Sequence, residues 1–270
     1  MEYLEPTALG KKMVDSGVAK LRMAPRDSFI RAYMAGALLG LGAAFAVNAT
    51  IVSGSTLVGG ILFPLGGFCA LYLMGFDLIT GLFVLTPLAW LDGRQGVTIW
   101  RILKNWVLVF FGNFAGGLTT ATLLAIVFTY GFSADAGPVG TKLAGIGESR
   151  VIGYAQHGAA GWLTIFIRGC LCNWMVSLGV VGAMMSTTVT GKVIAMWMPI
   201  MVFFSMGFEH SVVNMMLFPL AIMMGGNFSF ADYLFWNEVP TAVGNMVGGI
   251  TLTGLTVYTT HVKTAPEHVL

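Results

Sequence analysis

The chain has 270 residues, of which 56% are hydrophobic and only 10% charged. Soluble domains carry about a quarter charged residues, so this composition points to lipid as the solvent and argues against a water-soluble domain. A formal net charge of +2, with its basic residues gathered at the ends of apolar runs, is better explained by membrane topology than by a nucleic-acid partner.

In chain order, the first segment is basic, with Lys11, Lys12, Lys20, Arg22, Arg26 and Arg31. Leu9, Met13, Val14, Val18 and Leu21 fall near helical spacing there, which predicts a short amphipathic helix on the inner membrane surface. The first apolar run starts too late and runs too long for a cleavable signal. Positions 32–76, 78–91, 105–134, 169–191 and 239–260 carry no Asp, Glu, Lys or Arg, and 193–231 carries only Glu209 beside His210. A crossing needs roughly 20 apolar residues. Six spans follow, near 29–49, 57–91, 105–131, 160–187, 193–224 and 239–260, with a turn from Asn48 to Thr56. Arg94, Arg101, Lys104, Lys192 and Lys263 lie on the side of the basic N-terminus, and only Lys142 and Arg150 on the other. By the positive-inside rule both termini are cytoplasmic.

A repeat runs through these spans. Residues 75–89 read GFDLITGLFVLTPLA and residues 207–221 read GFEHSVVNMMLFPLA, while FGNFAGGL at 111–118 returns as VGNMVGGI at 243–250. Each half holds three spans, an odd number, so the second half enters from the opposite face as an inverted repeat. The fold class expected is an all-α membrane protein of six transmembrane helices, with helices two and five broken. The chain divides into a cytoplasmic N-terminal segment (1–26), a first three-helix repeat (27–135), an extracytoplasmic loop (136–159), a second three-helix repeat (160–262) and a cytoplasmic tail (263–270). The Gly-Asn-x-x-Gly-Gly elements read as close helix packing. Each Gly-Phe-acid motif reads as a helix break, its acid placed to bond the free amides of the half-helix that follows. The two half-helices, starting near Thr80 and His210, would aim positive dipole ends at one point and favour an anion there.

Glu209 matches Asp77 in the other half, which makes it an architectural residue, whereas His210 matches Leu78 and has no twin. A charged group at midplane costs about 2.5–3.5 kcal/mol or more, so Glu209 is paired or functional. The histidine is either a titrating pore group or a neutral ring bonded to a loop carbonyl. Cys69, Cys170 and Cys172 lie within spans in no zinc-binding pattern, and no metal or cofactor is expected.

Together these motifs resemble the formate/nitrite transporter family, which includes formate, nitrite and hydrosulfide channels. GFEHSVVNM resembles its central-histidine loop, FDLITG its loop after the first half of helix two, RGCLCNWMVSL at 168–178 its fourth-helix signature, and GNMVGG its sixth-helix element. The resemblance implies a homo-pentamer of six-helix protomers in the cytoplasmic (inner) membrane, each with its own pore and an aquaporin-like arrangement. It implies that His210 sits between two hydrophobic constrictions and faces the Thr80 hydroxyl. Leu78, Ile79, Val176 and Phe203 would line the narrow points, with Asn173 near the path, and Glu209 would orient the loop. His157 stands where the family often has a vestibule lysine, and Pro64, flanked by Phe63 and Phe68, where it often has the constricting Phe. Ser177-Leu178-Gly179 replaces a more usual Cys-Leu-Ala.

The function expected is a channel or proton-linked transporter for a small monovalent anion, formate first and nitrite or hydrosulfide second, with His210 assisting transient protonation. A neutral-solute channel of the aquaporin type lacks its Asn-Pro-Ala motif here. A membrane enzyme using Glu209 and His210 as acid and base has no HExxH, Cys/His cluster or serine motif to support it.

Overall fold

Hydrocarbon offers no hydrogen bonds, so a chain that crosses it closes its backbone bonds within helices. The computed structural model describes residues 3–264, and these are helices and turns with no strand. The last residues of the expected C-terminal tail, 265–270, lie outside the described part.

Helix α1 (Pro6–Arg22) buries Leu9, Met13, Val14, Val18 and Leu21. That face packs on Val84, Leu85 and Leu88 and on Val181 and Met184. The amphipathic stripe therefore packs on protein. Helix α2 (Pro25–Ser53) stops at Gly54, φ 69°. The expected turn from Asn48 shrinks to Gly54 and Ser55; Thr50 and Ser53 stay helical, with their hydroxyls donating to the carbonyls of Ala46 and Ala49.

Helix α3 (Thr56–Leu73) contains a π turn at Pro64–Phe68, where proline supplies no N–H. After a break come α4 (Ile79–Leu91) and α5 (Ile99–Phe128). The expected loop at 136–159 is instead mostly helix α6 (Gly137–Ala155), which buries Gly140, Leu143, Gly147 and Val151 on one stripe. Lys142, Glu148 and Arg150 interrupt the segment, so its buried stripe does not show as a charge-free run.

Helix α7 (Gly158–Met185) leads to α8 (Val189–Ser205), a second break, and α9 (Ser211–Met223). The last helix, α10, runs over residues 230–263 with three π turns, starting well before the expected 239. Its start is fixed by a capping box between Ser229 and Asp232. Glu238 ended the charge-free run in sequence, yet it is buried inside the helix.

Helices α2, α3, α5 and α7 are each long and apolar enough to cross a bilayer. With 13 residues each, α4 and α9 span roughly 20 Å, too short to cross alone. Close approach of α5 to α2 and of α10 to α7 needs the motif glycines. A Cβ on Gly116 would lie 1.9 Å from the Tyr33 carbonyl oxygen, and one on Gly248 2.1 Å from that of Cys170.

Candidate functional site

Both breaks are built alike. Helix α3 ends with Gly75 at φ 73°, and α8 with Gly207 at φ 63°. At the first, Gly75 N–H donates to Tyr72 O and Phe76 N–H to Leu71 O; at the second, Gly207 and Phe208 donate to Phe204 O and Phe203 O. This is the left-handed glycine stop of a helix, used twice. The chain then runs extended through Leu78 and His210, the residues just before α4 and α9.

The first amides of those half-helices are satisfied by two asparagines, one from each Gly-Asn-x-x-Gly-Gly element. Asn113 Oδ1 accepts from Ile79 N–H at 2.9 Å while its Nδ2 donates to the carbonyls of Asp77 and Ala32. Asn245 Oδ1 accepts from Ser211 N–H at 2.9 Å while its Nδ2 donates to the carbonyls of Glu209 and Gly169. The carboxylates of Asp77 and Glu209 cap neither helix, contrary to expectation. Their position before the half-helix suggested a cap, but their side chains turn to cations instead. Asp77 Oδ1 meets Lys20 Nζ at 2.5 Å, and Glu209 Oε2 meets Arg150 Nη1 at 3.7 Å.

At the centre, Thr80 Oγ1 and His210 Nε2 lie 3.3 Å apart, and both residues are buried. The other ring nitrogen of His210, Nδ1, accepts from Val213 N–H at 3.3 Å. An acceptor nitrogen carries no proton, so the neutral ring has its N–H on Nε2, pointing at Thr80. The ring also stacks on Phe203 at 5.6 Å between centroids.

Two cavities flank this pair. One, about 250 Å³, opens on the α1 side and is lined by Leu78, Thr80, Phe68 and Val176. Lys12, Lys20 and Lys192 line it too, with Asp77. The other, about 340 Å³, opens on the α6 side and is lined by His210, Phe203, Lys142 and Arg150. Both mouths carry more positive than negative charge.

Several expected residues stand elsewhere. Phe63 is buried against Phe203 and Phe204, so Phe68 is the one facing a cavity. Ile79 is buried and lines neither cavity. Asn173 is a strut, its Nδ2 donating to the carbonyls of Thr80 and Asn245. His157 is exposed at the junction of α6 and α7, outside the lining of the α6-side cavity. Asn113 and Asn245 were signalled by the repeat itself; Arg150 and Glu238 carried no signal beyond their charge.

Residues 7–259 match the family model described as formate/nitrite transporter. A probable formate transporter of Methanothermobacter thermautotrophicus is 33% identical over 214 residues, which are 77% of this chain and 76% of that one. A formate channel of Bacillus thuringiensis is 29% identical over 271 residues, 97% and 98% of the two chains. A solved structure described as a pentameric formate channel with formate bound matches at a TM-score of 0.72 with 26% identity, covering 87% of this chain and 96% of that chain.

Proposed function

Since the chain belongs to the formate/nitrite transporter family, a family of transporters rather than enzymes, we propose that it conducts a small monovalent anion, formate first and nitrite second. Two relatives are named for formate and the solved neighbour holds it. That neighbour is a pentamer, and the reading extends to a homo-pentamer here, each protomer with its own pore in the cytoplasmic membrane. The repeats are 27–135 and 160–262, inserted in opposite senses, with both termini cytoplasmic. The identical asparagine struts at an offset of 132 residues support that pairing. In this orientation the α1-side cavity faces the cytoplasm.

The observation that carries the reading is the Thr80–His210 pair standing between two cation-lined cavities. Lysines at one mouth, and Lys142 with Arg150 at the other, raise the local anion concentration. Leu78, Val176 and Phe68 on one side, and Phe203 on the other, strip water from the ion. Stripping costs several kcal/mol, about the penalty for any buried ion after relaxation. The Thr80 hydroxyl and the His210 Nε2–H offset part of it as donors, helped by the positive ends of α4 and α9.

Transient protonation of the anion at His210 would offset more, because formic and nitrous acid are neutral. It needs an imidazolium. A second proton on Nδ1 would turn that atom into a donor facing the Val213 N–H, so the proton-coupled cycle includes release of this cap. Glu209, held behind the loop, fixes its position.

Proteoliposomes containing the protein should swell in sodium formate and not in glycerol at matched osmolarity; swelling in glycerol at the formate rate returns the neutral-solute reading. Internal pH and labelled formate followed in the same vesicles test the histidine. His210→Asn is expected to abolish formate-linked proton movement and leave a residual formate leak. A variant that still moves one proton with each formate removes His210 as donor.

A further inference from the structure

Behind the His210 loop lie two buried acids, Glu209 and Glu238, that line neither cavity. Glu209 is 0% exposed and Glu238 2%. Glu209 Oε2 accepts from Asn214 Nδ2 at 3.0 Å and from Asn237 Nδ2 at 3.4 Å, and faces Arg150 at 3.7 Å. Glu238 instead meets two hydroxyls, that of Ser211 at Oε1 and that of Tyr233 at Oε2, the latter at 2.7 Å. Among the described residues Glu238 is within reach of no cation.

The chemistry of the partners separates the two acids. A guanidinium and an amide NH₂ only donate, so every partner of Glu209 suits a carboxylate, and the cation of Arg150 is its charge partner. A hydroxyl donates or accepts, so Ser211 and Tyr233 accommodate a carboxylic acid as readily as a carboxylate. One arginine serves two acids, and an unpaired charge in such a place is expensive. The cluster is also short of donors: Glu209 Oε1 has no partner among the described residues.

We propose that Glu238 binds a proton, so that Glu209, Glu238 and Arg150 form a one-proton site of zero net charge beside the pore. Loss of that proton to water places a second negative charge behind the loop. Ser211 is the link, since it follows His210 directly and its own N–H is held by Asn245. Anion flux then falls at alkaline pH as the site empties. The other titratable or charged groups on the surrounding elements are Lys142, Glu148 and Tyr154 on α6, Arg168, Cys170 and Cys172 on α7, His210 before α9, and Asp232, Tyr233, Tyr258, His261 and Lys263 on α10. Glu148 and Asp232 lie at the surface, with Glu148 accepting from Asn227 N–H and Asp232 from Ser229.

Infrared spectroscopy of the full-length protein in lipid tests the proton directly. Near neutral pH the wild type should show the C=O stretch of a buried carboxylic acid, lost in Glu238→Gln and retained in Glu209→Gln. Tyr233→Phe, which removes one hydroxyl from that carboxyl, should shift the band and covers the case of a Gln variant that does not fold. Glu238→Gln should carry formate at the wild-type rate near neutral pH and lose the alkaline fall. A wild-type spectrum without the band, or an alkaline fall unchanged in Glu238→Gln, overturns the proposal. The transport arm rests on the anion-channel reading and the infrared arm does not, so a band without formate flux sinks that reading alone.

Discussion

His210 and Leu78 hold the same station, each the residue before a half-helix, and only one of them carries a titratable ring. That asymmetry is visible in sequence. The charge of the α6-side mouth is not, because the family resemblance points to His157 as its source. In space His157 sits outside that cavity and Lys142 lines it. Replacing Lys142→Gln should therefore lower formate uptake from that side about two- to fivefold at low salt, with the loss shrinking as salt rises. His157→Lys should leave uptake within about twofold at neutral and alkaline pH, since a charge outside the mouth is screened. Initial rates in proteoliposomes at two salt concentrations check both, and a large gain in His157→Lys would return that residue to the vestibule.

Each break combines a glycine stop on one helix with an asparagine borrowed from another. A half-helix begins with an unsatisfied amide, and at membrane depth no water is available to bond it. Asn113 and Asn245 take that amide and return two donors to carbonyls of the loop and a neighbouring helix. Asn113→Ala and Asn245→Ala should each destabilise the protein by about 1–3 kcal/mol for the orphaned amide alone. Thermal unfolding in detergent should show similar losses for the two, because the geometry is the same. A loss in only one would mean that the halves do not share this support.

Large apolar side chains such as Phe111, Val127 and Leu163 are exposed on the outer faces of α5 and α7. In the membrane they meet lipid tails or a neighbouring protomer. Native mass spectrometry in detergent should give five copies, and a monomer or trimer would remove the pentamer from the reading. A membrane-impermeant thiol reagent applied to intact cells should label a cysteine placed at Lys142 and spare one placed at Lys11. The native Cys69, Cys170 and Cys172 are buried and should stay silent. The opposite labelling pattern would invert the proposed topology.

The sequence by itself determined that the chain is a helical membrane protein with two matching halves. Lipid as solvent excludes charge from the spans, so the spans show as charge-free runs, and the repeat shows as shared letters at one offset. It also singled out Thr80 and His210 by motif. Only the tertiary structure decided that these two lie 3.3 Å apart across 130 positions of chain, that α1 packs on α4, and that most of 136–159 is a helix delivering Arg150 to Glu209. Buried polar groups choose partners through space, and a partner's distance along the chain has no bearing on its distance in the fold. Asn245, Glu238 and Arg150 acquire their roles in that way, from the Ser211 N–H, the Ser211 hydroxyl and the Glu209 carboxylate respectively.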